Sequence, residues 1–275
     1  MKINEIIKAF EDAGSGEAKS EAYFTLEHLF STTPAAILAN RDREYDGRAV
    51  LEVIEKRKNK IPLQHIFGKW SFMGEEFYVS DKCLIPRQDT EILVYEAIKS
   101  IKKGGRIADL CTGSGCIAIS VLNNRPDITE ALLVDISPDA LSMARKNTEL
   151  HAMTDKCTLM EADVTEDILD GVYDAILSNP PYIPTREIDS LSDEVKKEPM
   201  LALDGGGDGL CIVRPIINNS SAHLEKGGIL MIEFGFDQGE AMTSLLNDAI
   251  DKGLYSSFKL LYDYGSNVRA CLINK

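Results

Sequence analysis

The sequence predicts an α/β fold: a doubly wound, mostly parallel sheet whose final strand runs antiparallel, preceded by a small helical-bundle domain and a linking β-hairpin. Three observations carry that prediction. Apolar residues recur at helical spacing over residues 1–69, an alternating pattern occupies 70–85, and strand-like runs alternate with helical ones over 86–275. Strands that alternate with helices need crossover connections, which put parallel strands in one sheet with helices on both faces.

The elements follow in order. Ile3, Ile6, Ile7 and Phe10 mark a first helix, and Tyr23, Leu26, Leu29 and Phe30 a second. Thr33-Pro34 reads as an N-cap followed by proline at the first helical position, opening Ala35 to Leu38. Val50, Val53 and Ile54 form a fourth stripe that runs into the basic cluster Lys56 to Lys60, read as a helix C-terminus that complements its dipole ahead of a binding patch. Trp70 and Phe72, then Phe77 and Val79, alternate around Met73-Gly74-Glu75 as a hairpin does. Asp89-Thr90-Glu91 supplies an N-cap and an acidic first turn for the next helix. Strands are then expected at 106–110, 131–136, 157–161, 173–178, 228–234, 258–262 and 267–273. Helices are expected at 116–123, 138–150, 211–224 and 238–250. Only Asp263-Tyr264-Gly265-Ser266 joins the last two strands, too short a link for a parallel crossover, so these two run antiparallel.

Composition bounds the function. The 275 residues carry 30 basic and 44 acidic side chains, a formal charge of −14, with 44% hydrophobic content. Such a chain packs a core, and its acidity argues against gripping nucleic acid over a wide surface. Residues 1–85 hold 12 basic and 14 acidic side chains, or −2, which leaves −12 for the remainder. The six cysteines (83, 111, 116, 157, 211 and 271) include no Cys-x-x-Cys pair, and the four histidines (28, 65, 151 and 223) lie far apart. Reduced thiols and no metal site are the reading. With no leader-like or membrane-spanning apolar run, the expectation is a cytoplasmic, soluble monomer.

Chemistry enters with Asp109-Leu110-Cys111-Thr112-Gly113-Ser114-Gly115, which follows the first strand of the sheet and opens a helix. Gly113 and Gly115 permit a tight turn and close backbone approach to a ligand. With Ala118 the spacing also fits a dinucleotide fingerprint. Asp135 ends the second strand, where a carboxylate can accept both ribose hydroxyls, and Asp163 follows the third, where an acceptor can take the amine of an adenine. The plain alternative is a tight strand-to-helix turn. An adenosine-containing ligand accounts for all four features together. Asp109, just upstream of the loop, would oppose a pyrophosphate and suit a sulfonium, which favours S-adenosylmethionine over NAD.

The fourth strand ends in Ser178-Asn179-Pro180-Pro181-Tyr182-Ile183-Pro184. Two prolines fix φ and remove donors, leaving a rigid loop at the carboxyl edge where open α/β sheets bind ligands. A planar NH2 group can donate to the Asn179 side-chain oxygen and the Pro180 carbonyl while Tyr182 stacks on its π-face. Nitrogen is then presented to the methyl of a sulfonium, with alignment supplying much of the rate.

This Asn-Pro-Pro-Tyr loop, with the glycine loop and Asp135, resembles the class I methyltransferases that modify planar nitrogens. Further stretches resemble the protein-glutamine N-methyltransferases of the PrmC/HemK family. They are Pro62 to Gly68, Ile85 to Glu91, Glu198-Pro199 with Ala202 to Gly206, and Glu233-Phe234-Gly235 before Gln238-Gly239. The resemblance spans nearly the whole chain. It implies a class I methyltransferase domain at 86–275, a substrate-recognition domain at 1–69 and a linking hairpin at 70–85. It also implies S-adenosylmethionine as cofactor and, as protein substrate, class 1 peptide-chain release factors methylated on the Gly-Gly-Gln glutamine.

By that resemblance Cys111, Thr112, Gly113, Ser114 and Gly115 hold the methionine part of the cofactor, Asp135 the ribose, and Asn179, Pro180, Pro181 and Tyr182 the substrate amide. Val164, after Asp163, stands where relatives often carry an aromatic that packs on adenine. Cys111 replaces a usual glycine and Gln88 a common proline. Arg87 and Glu91 read equally as an interdomain ion pair or as substrate contacts. Two rival activities use the same features: adenine N(6)-methylation of nucleic acid, and NAD-dependent hydride transfer. A catalytically dead binding module is a third reading.

Overall fold

The computed structural model describes residues 1–102, 104–263 and 265–275. The chain forms two compact units, one of Met1–Gly68 with Ser192–Lys197 and one of Lys69–Leu191 with Glu198–Lys275.

The first unit holds α1 (Ile3–Asp12), α2 (Ala18–Phe30), α3 (Pro34–Ala39), α4 (Gly47–Lys58) and α5 (Leu63–Phe67). Ile3, Ile6 and Phe10 from α1 meet Ala22 and Leu26 from α2 and Val50, Val53 and Ile54 from α4 in one apolar core. Thr33 accepts from the Ala36 N–H at 3.2 Å, and Pro34 opens α3 as the sequence predicts. The basic cluster closes α4, but Arg57 turns inward. It is buried, pairs with Glu21 at 2.5 Å and Glu194 at 2.7 Å, and donates to the Ile61 carbonyl at 2.9 Å. The short α5, absent from the periodicity reading, spans only five residues and ends on Gly68 in a left-handed cap.

The second unit opens with the hairpin β1 (Lys69–Phe72) and β2 (Glu75–Tyr78). Met73 and Gly74 both have positive φ, 53° and 77°, as a two-residue hairpin turn requires. Then come α6 (Glu91–Ser100), β3 (Gly105–Leu110), α7 (Cys116–Asn124), β4 (Ile128–Asp135), α8 (Pro138–Leu150), β5 (Cys157–Glu161) and β6 (Tyr173–Ser178). After a long loop follow α9 (Val213–Ser220), β7 (Leu224–Glu233), α10 (Gly239–Asp251), β8 (Ser257–Tyr262) and β9 (Val268–Asn274). The sheet order is β5-β4-β3-β6-β7-β9-β8, and among the described residues only β9 runs antiparallel, against both of its neighbours. The link between β8 and β9 includes Tyr264, which lies outside the described residues.

Side chains alternate between two apolar layers. Ile107, Leu133, Ala175, Leu177 and Met231 pack with α6, α7 and α8, whereas Ala108, Leu110, Val134, Ile176 and Ile232 pack with α9 and α10. β7 starts four residues ahead of the sequence expectation and α9 ends correspondingly early. The strand runs through Gly227-Gly228 by a register shift opposite Tyr173/Ala175, a bulge that the glycines permit. Strand order reverses between β3 and β6, which opens a crevice at their carboxyl ends.

Candidate active site

The turn after β3 is held from beneath and from the side. Asp109 is fully buried. Its Oδ2 accepts from the Thr112 hydroxyl at 2.7 Å and the Ala118 N–H at 3.2 Å, and Oδ1 has no partner among the described residues. Burial pushes its carboxyl up to about 7 against those two hydrogen bonds. Asp135, at the end of β4, accepts the Gly113 N–H and the Ser137 N–H, each at 2.9 Å, and burial raises its carboxyl as well. Asn147 on α8 ties the hairpin to the same loop. Its amide exchanges hydrogen bonds with both backbone groups of Tyr78 and donates to the Ser114 carbonyl at 2.8 Å.

These turns wall a cavity of about 350 Å³, within the range of small-ligand sites. Cys111, Thr112, Gly113, Ser114, Asp135, Asp163, Val164, Asn179, Pro181 and Arg87 all line it. Asp109 and Gly115 stand behind the loop and do not. Asp109 is on the α7 side of β3, so its carboxyl braces the turn through these hydrogen bonds instead of meeting a ligand. Pro180 is buried, and Tyr182 is turned away: its hydroxyl donates to Glu233 Oε1 at 3.4 Å and its carbonyl accepts from Gln238 Nε2 at 2.8 Å. Glu91 also lies outside the lining. Its carboxylate accepts the Met73 N–H at 2.8 Å and braces the hairpin turn, so Glu91 stands in the acidic first turn of α6 as expected but does not pair with Arg87. Arg87 pairs instead with Glu198, whose other oxygen accepts the Ile85 N–H at 2.9 Å.

Four contributors were given no role at the site by the sequence reading, although three of them lie in stretches it singled out. Ile136 is 46% exposed although large and apolar, and it lines the cavity together with Val164. Thr90 is buried and accepts from Asn179 Nδ2 at 3.1 Å. Glu233, at the end of β7, is buried, and desolvation pushes its carboxyl up to about 7. Its signal was available, an acid closing an apolar strand as Asp135 does. The fourth is Leu203 to Gly206, which runs beside the Asn179–Pro184 loop. Ile183 donates to the Leu203 carbonyl at 3.0 Å and accepts from Gly205 at 2.9 Å, in a parallel bridge.

The cavity carries Asp81, Asp135, Asp139, Asp163 and Asp204 against Lys82 and Arg87. That balance suits a cationic ligand and opposes a pyrophosphate. A Cβ on Gly113, at φ 56°, would meet no atom of the described residues within 4 Å and would occupy the ligand space. Gly113→Ala is therefore expected to weaken S-adenosylhomocysteine binding about tenfold or more, while left-handed strain lowers stability by only about 1 kcal/mol. Calorimetric titration beside thermal melts separates the two effects.

Asp109 and Glu233 also set a pH dependence of stability. Each carboxyl titrates higher folded than unfolded, so its contribution is full below about pH 4 and is lost as pH rises through about 7. Between pH 5.5 and 8.5 the melting temperature should fall, with about 2–5 kcal/mol at stake. Asp109→Asn should flatten part of the fall. A melting temperature that rose over this interval would contradict the burial of both acids.

Residues 88–214 match the methyltransferase small domain family, and residues 3–68 match the PrmC N-terminal domain. Among solved structures, a methyltransferase from Pyrococcus furiosus is similar at a TM-score of 0.56 and 18% identity, covering 80% of this chain and 98% of its own. The ribosomal protein L11 methylase of Lactobacillus delbrueckii subsp. bulgaricus is similar at 0.50 and 19%, covering 71% and 82%. Both show the fold alone. Sequence relatives reach further. The release factor glutamine methyltransferase of Moorella thermoacetica is 34% identical over 275 residues, covering 98% of this chain and 96% of the relative. That of Geobacter sulfurreducens is 34% identical over 240 residues, covering 86% and 84%. With a glycine loop, Asp135 and Asn179 around one acidic cavity, and full-length similarity at this level, the chain belongs to the release factor glutamine methyltransferase family.

Proposed function

We infer that the protein transfers a methyl group from S-adenosylmethionine to the side-chain amide nitrogen of the glutamine in the Gly-Gly-Gln motif of peptide-chain release factors. The observation that carries this is the placement of Asn179. Its amide, held from behind by Thr90, borders the same cavity as Gly113 and Asp135.

S-adenosylmethionine, when bound, supplies an electrophilic methyl on a sulfonium. The cavity fits it: Asp135 can accept the ribose hydroxyls, Ile136 and Val164 offer apolar walls to the adenine, and the space in front of Gly113 admits the methionine part. Asn179 Oδ1 accepts one hydrogen of the substrate amide and the Pro180 carbonyl the other, which holds the amide plane and aims its nitrogen. The fixed φ of Pro180 and Pro181 keeps that pair from relaxing, so little reorganisation is left for the reaction itself. The attacking amide sheds its proton readily once alkylated, so no strong general base is required. Tyr182 acts by bracing the loop through Glu233 and Gln238. The helical unit contributes to recognition of the protein substrate, and the protein works as a cytoplasmic monomer without a stable nucleic-acid partner.

Incubation with labelled S-adenosylmethionine and, in parallel, release factor, a Gly-Gly-Gln peptide and nucleic acid tests the reading. Label on the glutamine of the release factor is expected. Label on nucleic acid alone would replace it with adenine methylation.

A further inference from the structure

The stretch from Glu233 to Gly239 carries a glutamine whose amide is engaged at both ends. Gln238 is buried, 7% exposed, in the turn that joins β7 to α10. Its Oε1 accepts the Gly235 N–H at 2.8 Å, which caps that turn. Its Nε2 donates to the Tyr182 carbonyl at 2.8 Å, 56 residues earlier in the chain, with the Asp208 carbonyl at 3.5 Å as a weaker acceptor. A cap needs the oxygen alone. The two bonds together fix which way the amide points, since an N–H meets one end and a carbonyl the other. Gly209, at φ 78°, leaves room for the meeting: a Cβ there would strike both the Tyr182 carbonyl oxygen and Gln238 Nε2.

We infer that Gln238 is a positioning residue for the substrate amide: it clips the Tyr182 carbonyl and so fixes where the Pro180 carbonyl lies. This rests on the role of Asn179 and Pro180 proposed above. Gln238 itself stands outside the cavity lining. Positions 180, 181 and 184 are prolines without an N–H, so the loop has few backbone donors with which to tie itself down. At Ile183 it is bound to Leu203 and Gly205, at 3.0 and 2.9 Å. At Asn179 it is bound to Thr90. Between these two ties the Tyr182 carbonyl is held by Gln238. With φ fixed at two successive residues, Pro180 to Tyr182 moves as one stiff piece. A slip at the Tyr182 carbonyl is therefore carried to the Pro180 carbonyl, where alignment with the substrate is set.

Two substitutions separate the clip from the cap. Gln238→Glu keeps an oxygen for the Gly235 N–H, but its carboxyl can donate to the Tyr182 carbonyl only while protonated. Burial holds that carboxyl above the usual carboxylate range. Gln238→Met has no donor at any pH. In methyl transfer to release factor at saturating substrate, Gln238→Met should lower kcat about 10- to 100-fold, with S-adenosylhomocysteine affinity within about twofold. The kcat of Gln238→Glu relative to wild type should lie within about threefold at about pH 6 and fall at least about tenfold by about pH 9. Wild-type kcat in Gln238→Met, or a Gln238→Glu ratio flat with pH, overturns the inference.

A readout free of substrate separates it from the proposed function. Tyr182-Ile183 is the only Tyr-Ile pair in the sequence, so 13C-carbonyl tyrosine with 15N isoleucine gives one correlation, from the Tyr182 carbonyl. That resonance should move upfield in Gln238→Met, and in Gln238→Glu it should titrate with the midpoint of the kcat ratio. A wild-type protein inactive on release factor overturns the substrate, whereas a Tyr182 carbonyl unmoved in Gln238→Met overturns the clip.

Discussion

Replacing Asn179 with alanine is expected to lower kcat about 100- to 1000-fold, the scale seen when one preorganised hydrogen-bonding group is removed from a reacting centre. The loss has a local cause. Asn179 Oδ1 is the side-chain acceptor that the loop after β6 offers to a planar NH2 group, and water admitted in its place is free to move. S-adenosylhomocysteine affinity should change no more than about threefold, because the glycine loop and Asp135 are untouched. Stability should drop by about 1 kcal/mol, since Thr90 loses its donor. Single-turnover transfer beside calorimetric titration checks the split. Turnover within tenfold of wild type would remove Asn179 from the amide clamp.

A comparable effect is expected from a residue without any side chain. A Cβ on Gly205 would lie 2.5 Å from the Gly209 carbonyl oxygen, 2.7 Å from the Tyr182 Cα and 2.8 Å from the Pro181 carbonyl oxygen. All three are backbone atoms, so no rotamer change relieves the clash. Gly205→Ala must therefore push the Pro181-Tyr182 segment away or lower the stability of the unit by about 3 kcal/mol. In the first case kcat falls by about 100-fold or more with nearly normal melting, because an ångström of misplacement is costly to an aligned reaction. In the second the melting temperature falls. Denaturant titration and kcat together decide between them, and a variant normal in both would show that the contact is slack.

Much of the molecule was legible before its coordinates. The alternation of strand-like and helical runs, the short link after Tyr262 and the turn at Met73-Gly74 located the sheet, its antiparallel last strand and the hairpin. The mismatches have local reasons. Gly227-Gly228 reads as a break in sequence, yet β7 passes through it as a bulge against β6. The five residues of α5 are too few to establish a period. Ser192–Lys197 groups with the helical unit through a pairing of Glu194 with Arg57, partners that no local pattern connects.

The site divides in the same way. Gly113, Asp135 and Asn179 could be named from residue type and spacing, because strand ends, glycine turns and paired prolines constrain the backbone within a few residues of themselves. What the side chains do there was decided by contacts made across the fold. Asp109 looked like a ligand to a cation and is a buried brace; Tyr182 looked like a stacking surface and leans on Glu233; Glu91 supports a turn. Thr90 meets Asn179, and Tyr182 meets Glu233, only where the ends of β6 and β7 and the start of α6 lie side by side. Periodicity and turn chemistry are short-range, so the sequence by itself determined the elements and the loop that carries the chemistry. The direction of a polar side chain at a strand end depends on which distant partner buries it, and that was decided by the tertiary structure alone.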